Sequence, residues 1–145
     1  MKELVWLAPA AGVAALLFAL ILASGIRKQA PGNERMREIA GAIKEGAQAF
    51  LRAEYKILVF FVAILFVVIG IGIGNWITAV CFLVGAAFST MAGYIGMQVA
   101  TDANVRTANG AREGGMGKAL GIAYKGGAVM GMCVVGLGLL GASVI

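Results

Sequence analysis

The residues best suited to chemistry lie in the polar stretch between the last two long apolar runs. Asp102, Asn104 and Arg106 follow one of these runs closely, and their side chains could contact a charged substrate. The simpler interpretation is that they solvate the end of a helix. A few residues later, Gly114–Lys118 suggests a phosphate-binding loop. However, the segment lacks the GxxxxGK[ST] spacing and follows a predicted helix instead of a strand, so that interpretation is disfavoured.

Other kinds of site are poorly supported by the residue types. The 145 residues include no His, which argues against imidazole bases and most zinc or haem sites. Cys81 and Cys133 lie within apolar runs, which favours small buried side chains over a disulfide or metal pair. We therefore predict no catalytic, substrate-binding or metal-ligating residue within this chain.

The composition is that of a membrane protein. Apolar residues make up 61% of the chain, charged residues only 13%, and the mean hydropathy is +0.92. A transmembrane helix needs about 20 predominantly apolar residues. The uncharged stretch 57–101 is too long for one crossing, and the glycines before Asn75 and Trp76 predict a turn within it. The sequence thus predicts an all-α membrane domain with four spans, at about 4–26, 57–73, 76–100 and 126–145.

The charges predict which way these spans run. Every Lys and Arg except Lys2 lies in residues 27–56 or 102–125. By the positive-inside rule these segments face the cytoplasm, so both termini lie on the extracytoplasmic side of the cell (inner) membrane. A signal peptide ending near Ala23–Gly25 is disfavoured because Arg27 and Lys28 follow the first run. The net charge of +5 therefore indicates topology, and we expect no nucleic-acid partner.

Both cytoplasmic segments contain helical patterns. Asn33 is a predicted N-cap, with Glu34 in the first turn. From there to Leu51, apolar residues recur every three or four positions. We expect one long helix from 34 to 73 whose amphipathic half packs on protein; lying flat on anionic lipid is the alternative. Residues 101–112 should likewise extend the third helix, ending near Gly114.

The last run is rich in glycine. Gly127 and Gly131 form a GxxxG pair, which predicts close packing against another helix. Gly136 and Gly138 suggest a rotary-ring or channel subunit. Such a subunit needs an ionisable residue at mid-span, and none of the four runs contains one, so this alternative is disfavoured.

Three segments resemble the membrane-integral, ion-pumping pyrophosphatases. Gly46–Tyr55 (GAQAFLRAEY) is similar to the segment before their second helix, and Ala103–Ala108 (ANVRTA) to the stretch leaving their third. Ala123–Gly131 (AYKGGAVMG) is similar to the beginning of their fourth. The three occur in the family's order and spacing, so the resemblance covers essentially the whole chain.

The resemblance implies a pump that hydrolyses pyrophosphate in the cytoplasm and moves H⁺ or Na⁺ outward. In that family, homodimers of roughly sixteen helices per subunit use Mg²⁺, and in some cases K⁺, with the first four helices on the outside. This chain ends before any acidic motif of the D-x-x-x-D kind. We therefore expect an inactive amino-terminal fragment that binds no cofactor and whose partners are the bilayer and the remaining helices. The alternative is a small standalone membrane scaffold or assembly protein.

Overall fold

The computed structural model describes residues 2–144, which form three α-helices and no strand. Helix α1 spans Lys2–Arg27, α2 spans Glu34–Gly72, and α3 spans Trp76–Val144. All three are long and apolar enough to cross a membrane. The predicted all-α membrane class is therefore confirmed.

Helix α3 turns back on itself at Gly115. This residue has φ 71° and ψ −171°, outside the helical region, and a positive φ of this kind is readily adopted only by glycine. We call residues 76–114 the first arm and residues 116–144 the second arm. The arms are antiparallel, since Ala103 contacts Gly126 and Phe88 contacts Gly141.

This reversal accounts for the difference between the predicted and observed helix counts. The predicted third and fourth spans lie on the first and second arms of α3, so three helices stand where four were predicted. The connection predicted at 101–125 is helical on both sides of Gly115. Ile145, the last residue of the predicted fourth span, lies outside the described residues.

The predicted beginning and continuity of α2 are confirmed. The Asn33 Oδ1 accepts a hydrogen bond from the backbone N–H of Met36 at 2.9 Å, as an N-cap should. The helix then runs to Gly72 without a break. Its amphipathic half and its apolar half are thus one element, so the amphipathic half is held in line with the half predicted to lie in lipid.

The predicted turn between α2 and α3 is also confirmed. Gly74 has φ 68°, and the Asn75 Oδ1 accepts a hydrogen bond from Ile77 N–H at 2.9 Å. The Trp76 ring packs directly over Gly70 and lies 5.8 Å from the Phe66 ring, centroid to centroid. These contacts turn the chain so that the first arm of α3 returns along α2.

The core of the bundle lies where α1 meets both arms of α3. Its buried residues are mostly small, which lets the helices approach closely: Ala19, Ile26, Ala92, Val99, Ala103, Val129, Cys133 and Leu137. Cys133 is therefore a buried small side chain, as predicted, whereas Cys81 is only partly buried, and neither forms a disulfide. Within residues 2–144, helix α2 lies apart from this core and packs on α3 but not on α1.

A close backbone contact joins α1 to the second arm of α3. A Cβ added at Gly12 would lie 2.9 Å from the carbonyl oxygen of Gly136, and one added at Gly136 would lie 2.9 Å from that of Gly12. The two backbones therefore touch, as small residues permit between membrane helices. Gly127 and Gly131 have nothing within 4 Å of an added Cβ, so the predicted GxxxG surface is not used within the described chain.

Helix α2 packs on the first arm along one stripe. Leu51 is buried, and the Tyr55 hydroxyl donates a hydrogen bond to the carbonyl oxygen of Thr90 at 3.1 Å. The amphipathic half thus packs on protein, as predicted, but incompletely. Ile39 and Ile43 remain about half exposed beside a gap of about 200 Å³ between α2 and α3.

We expect Gly136→Ala to destabilise the bundle, because its new methyl group would force the α1 and α3 backbones apart. Overpacking of this kind typically costs about 1–3 kcal/mol. The measurement is the free energy of unfolding of the purified chain by denaturant titration in detergent. Gly131→Ala is the matched control on the same arm, and it should leave that free energy unchanged or raise it slightly. Equal losses for the two variants would contradict the close contact.

Candidate functional site

A cluster of polar side chains joins all three helices where the apolar core ends. Asp102, on the first arm of α3, has a side chain only 19% exposed. Its Oδ2 lies 3.5 Å from Nε of Arg27 at the end of α1, and its Oδ1 lies 3.2 Å from Nζ of Lys44 in α2. One carboxylate therefore bridges two helices that do not pack on each other.

Arg106 attaches the α1–α2 connection to the same arm. Its Nε donates to the carbonyl oxygen of Gln29 at 3.1 Å, and its guanidinium also reaches the carbonyl oxygens of Asp102, at 2.6 Å, and Arg27, at 3.5 Å. The fixed fork of donors on an arginine suits this bridging of several acceptors. The connection is thus held by its backbone, independently of its side chains.

Asn109 completes the attachment one turn further along. It is 2% exposed, and its Nδ2 donates to the carbonyl oxygen of Ala30 at 3.2 Å. The side chain lies against Gly32, whose φ of 86° is part of the turn that leads into α2. Burying this amide beside the turn therefore sets where α2 begins relative to α3.

The spacing of these side chains follows from helix geometry. Asp102, Arg106 and Asn109 stand at i, i+4 and i+7, so they share one face of the first arm. That face points toward the end of α1, the connection and α2. We call these three residues, together with Arg27 and Lys44, the Asp102 cluster.

The Asp102 cluster is a structural clamp with a net positive charge. The Asp102 carboxylate is paired with Arg27 and Lys44, whose side chains are 64% and 45% exposed. Arg106 adds a third positive charge, bound to the backbone carbonyl oxygen of Asp102. Because such exposed partners are screened by solvent, each ion pair contributes at most about 1 kcal/mol. The contacts of the cluster therefore orient the three helices relative to one another.

The sequence-predicted residues in this region have different roles. Asp102 and Arg106 do not merely solvate a helix end, because both bind other elements of the chain. Asn104 is exposed and lies beside the gap between α2 and α3. The sequence analysis did not identify Asn109 as a functional residue. Its spacing from Asp102 and Arg106 places it on the same helix face, and this spacing could have predicted that the three act together.

The glycine-rich segment after the cluster forms the tip of the α3 hairpin. Glu113 lies there, 3.6 Å from Arg112 and 3.9 Å from Lys118. The segment joins two helical arms and follows no strand, as the rejection of a phosphate loop anticipated. Over residues 2–144, no group of three or more His, Cys, Asp or Glu side chains is arranged to hold a metal ion.

Comparison with known proteins identifies the family. The family model described as inorganic H⁺ pyrophosphatase matches residues 13–145. The chain belongs to this family. It is 60% identical over 122 residues, 84% of the chain, to a Clostridium tetani protein that carries the provisional name of a K(+)-stimulated pyrophosphate-energized sodium pump.

Two further relatives are named as pumps of different ions. The chain is 46% identical over 144 residues, 99% of its length, to a K(+)-insensitive pyrophosphate-energized proton pump of Methanosarcina mazei. It is 44% identical over 128 residues, 88% of its length, to a K(+)-stimulated pyrophosphate-energized sodium pump of Thermotoga maritima. It covers only 18%, 21% and 18% of these three relatives, so it spans about a fifth of their length.

The segments that resemble the pyrophosphatase family coincide with helix contacts in the structure. Gly46–Tyr55 includes the side chains by which α2 packs on α3, and Ala103–Ala108 includes Arg106 of the cluster. Ala123–Gly131 includes Gly126, which touches Ala103, and the buried Val129. In this chain the motifs therefore build the packing of the bundle.

We expect Asp102→Asn to loosen the junction of the three helices, because it removes the charge that attracts Arg27 and Lys44. Amide hydrogen exchange of residues 28–33 in detergent should become about three- to ten-fold faster, as the loss of about 1 kcal/mol implies. Glu113→Gln removes the same charge from the hairpin tip and should leave that exchange unchanged. Equal exchange in the two variants would contradict the clamp.

Proposed function

We propose that this chain is the amino-terminal part of a pyrophosphate-energised pump that exports H⁺ or Na⁺, and that the hydrolytic site is built by other parts of the pump. The observation that carries the proposal is the family match over residues 13–145 in a chain that spans about a fifth of its relatives' length. The Asp102 cluster would then hold part of the cytoplasmic end of the pump in place.

The assignment of the hydrolytic site to other segments is supported by the acidic residues. Magnesium pyrophosphate requires several carboxylates converging on hard cations. On α3, Asp102 and Glu113 lie far apart along the first arm, and each is already paired with two basic side chains. The Mg²⁺ of the family, and K⁺ where it is used, would accordingly be held by residues outside this chain.

The proposed topology has four crossings of the inner membrane. The two arms of α3 run in opposite directions. Helix α1 is antiparallel to the second arm, because Gly12 lies beside Leu140 whereas Leu16, further along α1, lies beside the earlier Gly136. The beginning of α1, the turn at Gly74 and the end of α3 therefore lie at one end of the bundle. The Asp102 cluster and the hairpin tip lie at the other, basic end, which the positive-inside rule assigns to the cytoplasm.

The rest of the pump supplies the expected partners of this bundle. Its outer surface carries large apolar side chains, among them Phe60, Ile71 and Ile77, each about seven-tenths exposed. Such surfaces suit lipid or further helices. We propose that both cover it, and that the assembled pump forms a homodimer.

The choice of transported ion does not follow from this segment. A proton pump and a sodium pump match it at 46% and 44% identity. The proposal therefore covers both ions, and the groups that select one of them belong to the part of the pump that binds it.

The proposed role predicts that this chain works in place of the matching segment of a relative. Replacing that segment of the M. mazei proton pump with this chain should preserve Mg²⁺-dependent pyrophosphate hydrolysis and proton transport into inverted vesicles. The measurements are phosphate release and quenching of a pH-sensitive dye. Activity within about ten-fold of the parent pump is expected, since the segment would supply packing without reacting groups.

Two controls accompany this exchange. Membranes that contain only this chain should release no phosphate above background, and measurable release would place a hydrolytic site within the 145 residues. A chimera that inserts normally yet neither hydrolyses pyrophosphate nor transports protons would favour a standalone scaffold instead.

The topology predicts that the hairpin tip and the chain ends lie on opposite faces. In a chain carrying Cys81→Ala and Cys133→Ala, we expect a membrane-impermeant thiol reagent to label Gly117→Cys in inverted vesicles only. Ile73→Cys should show the reverse labelling, because this exposed residue lies in the turn at the other end of the bundle. Labelling of both positions from the same side would rule out the four-crossing arrangement.

A further inference from the structure

An apolar groove runs between α2 and the first arm of α3. Its volume is about 600 Å³, and its walls are almost entirely hydrocarbon, formed mainly by Leu58, Val62, Ala63, Leu83, Ala87 and Met91. Tyr55 closes one end through its hydrogen bond to the carbonyl oxygen of Thr90. The hydrogen bond of Tyr55 therefore fixes the position of this end of the groove.

Two basic side chains stand at that same end. Arg52 and Lys56 are one helical turn apart on α2 and line a recess together with Tyr55 and Val59. Tyr55 and Val59 also line the groove, so the recess and the groove are continuous. Neither basic side chain forms an ion pair anywhere in the described part of the chain. The neighbouring Glu54 faces the opposite side of α2, toward a separate recess.

The depth of this arrangement matches one leaflet of a bilayer. Lys56 directly precedes the uncharged run that begins at Ile57, and Arg52 lies one helical turn before Lys56. In the proposed topology both side chains are at the level of the lipid phosphates on the cytoplasmic side. From Tyr55 to Ala63 the groove extends over eight residues of α2, or about 12 Å. Half of the hydrocarbon core is about 15 Å thick.

We propose that this groove is a binding site for an anionic phospholipid of the cytoplasmic leaflet. Arg52 and Lys56 bind the phosphate of the headgroup, and an acyl chain lies along the groove below Tyr55. The cytoplasmic leaflet is the one rich in anionic lipid, and basic recesses between transmembrane helices on that side recognise such headgroups.

The chemistry of the site favours a lipid over the other possible occupants. A free phosphate would use the two cations but leave the apolar groove unfilled. A further helix of the pump would fill the groove but would bring the two unpaired cations against its backbone or side chains. Only a molecule with an anionic head and a long apolar tail satisfies both parts of the site.

The test measures lipid binding to the full purified chain in a neutral detergent. Native mass spectrometry gives the Kd for the first bound dioleoyl-phosphatidylglycerol and for dioleoyl-phosphatidylcholine. We expect the anionic lipid to bind more tightly to the unmodified chain. The double variant Arg52→Gln/Lys56→Gln should raise the phosphatidylglycerol Kd about 25-fold, since each of the two cations near a lipid surface contributes about a factor of five.

Arg35→Gln/Arg37→Gln is the matched control, because it removes two positive charges from the water-exposed beginning of the same helix. It should leave the phosphatidylglycerol Kd unchanged. Ala87→Phe tests the tail, because its ring would occupy the groove from an exposed position, and it should weaken binding of the same lipid about three-fold or more. Far-UV circular dichroism verifies that each variant keeps its helices.

Three results would overturn the proposal. Equal phosphatidylglycerol binding by the Arg52/Lys56 and Arg35/Arg37 variants would show that the headgroup binds elsewhere or only through net charge. Unchanged binding by Ala87→Phe would exclude the groove as the acyl-chain site. Displacement of the lipid by millimolar glycerol 3-phosphate would show that the cations form a site for soluble phosphate and not for a lipid.

Discussion

The reversal of α3 at Gly115 is the constraint on which the packing of the bundle depends. A continuous helix of 69 residues would extend about 100 Å at 1.5 Å per residue, and its two halves could not meet. Because Gly115 adopts a positive φ, the second arm returns along the first and makes a groove that receives α1. The core, with Val129 and Ala19 on facing elements, exists only because of this return.

Within lipid, the bundle is held mainly by shape. Hydrocarbon tails are as apolar as the helix surfaces, so close packing of small residues replaces the hydrophobic effect as the force between helices. The touching backbones of Gly12 and Gly136 are the clearest example. Outside the lipid, water competes for polar groups, and the Asp102 cluster works there by making several weak contacts at one place. Packing sets the distances between helices, and the cluster sets their register at the basic end of the bundle.

Some glycine surfaces of the bundle are packed against its own helices, and others are exposed. Gly126 and Gly136 face the core, whereas Gly127 and Gly131, on the same arm, face outward. A chain that spans about a fifth of its relatives' length is expected to present such faces to lipid and to the other helices of a pump. The basic residues Arg52 and Lys56 mark the part of this surface best suited to an anionic lipid.

The amino-acid sequence by itself determined the helical spans, the cap at Asn33, the turn before Trp76 and the family. Each of these depends on local pattern: a period of 3.6, runs of uncharged residues, or a motif of adjacent residues. The tertiary structure alone decided that the last two spans form one reversing helix, which glycines face the core, and that Asn109 clamps the connection near Ala30. The physical reason is that the sequence around a glycine or an asparagine does not show which distant residues will pack against it. Whether a Gly lies in a contact or in the open depends on residues more than a hundred positions away, as Gly12 and Gly136 show.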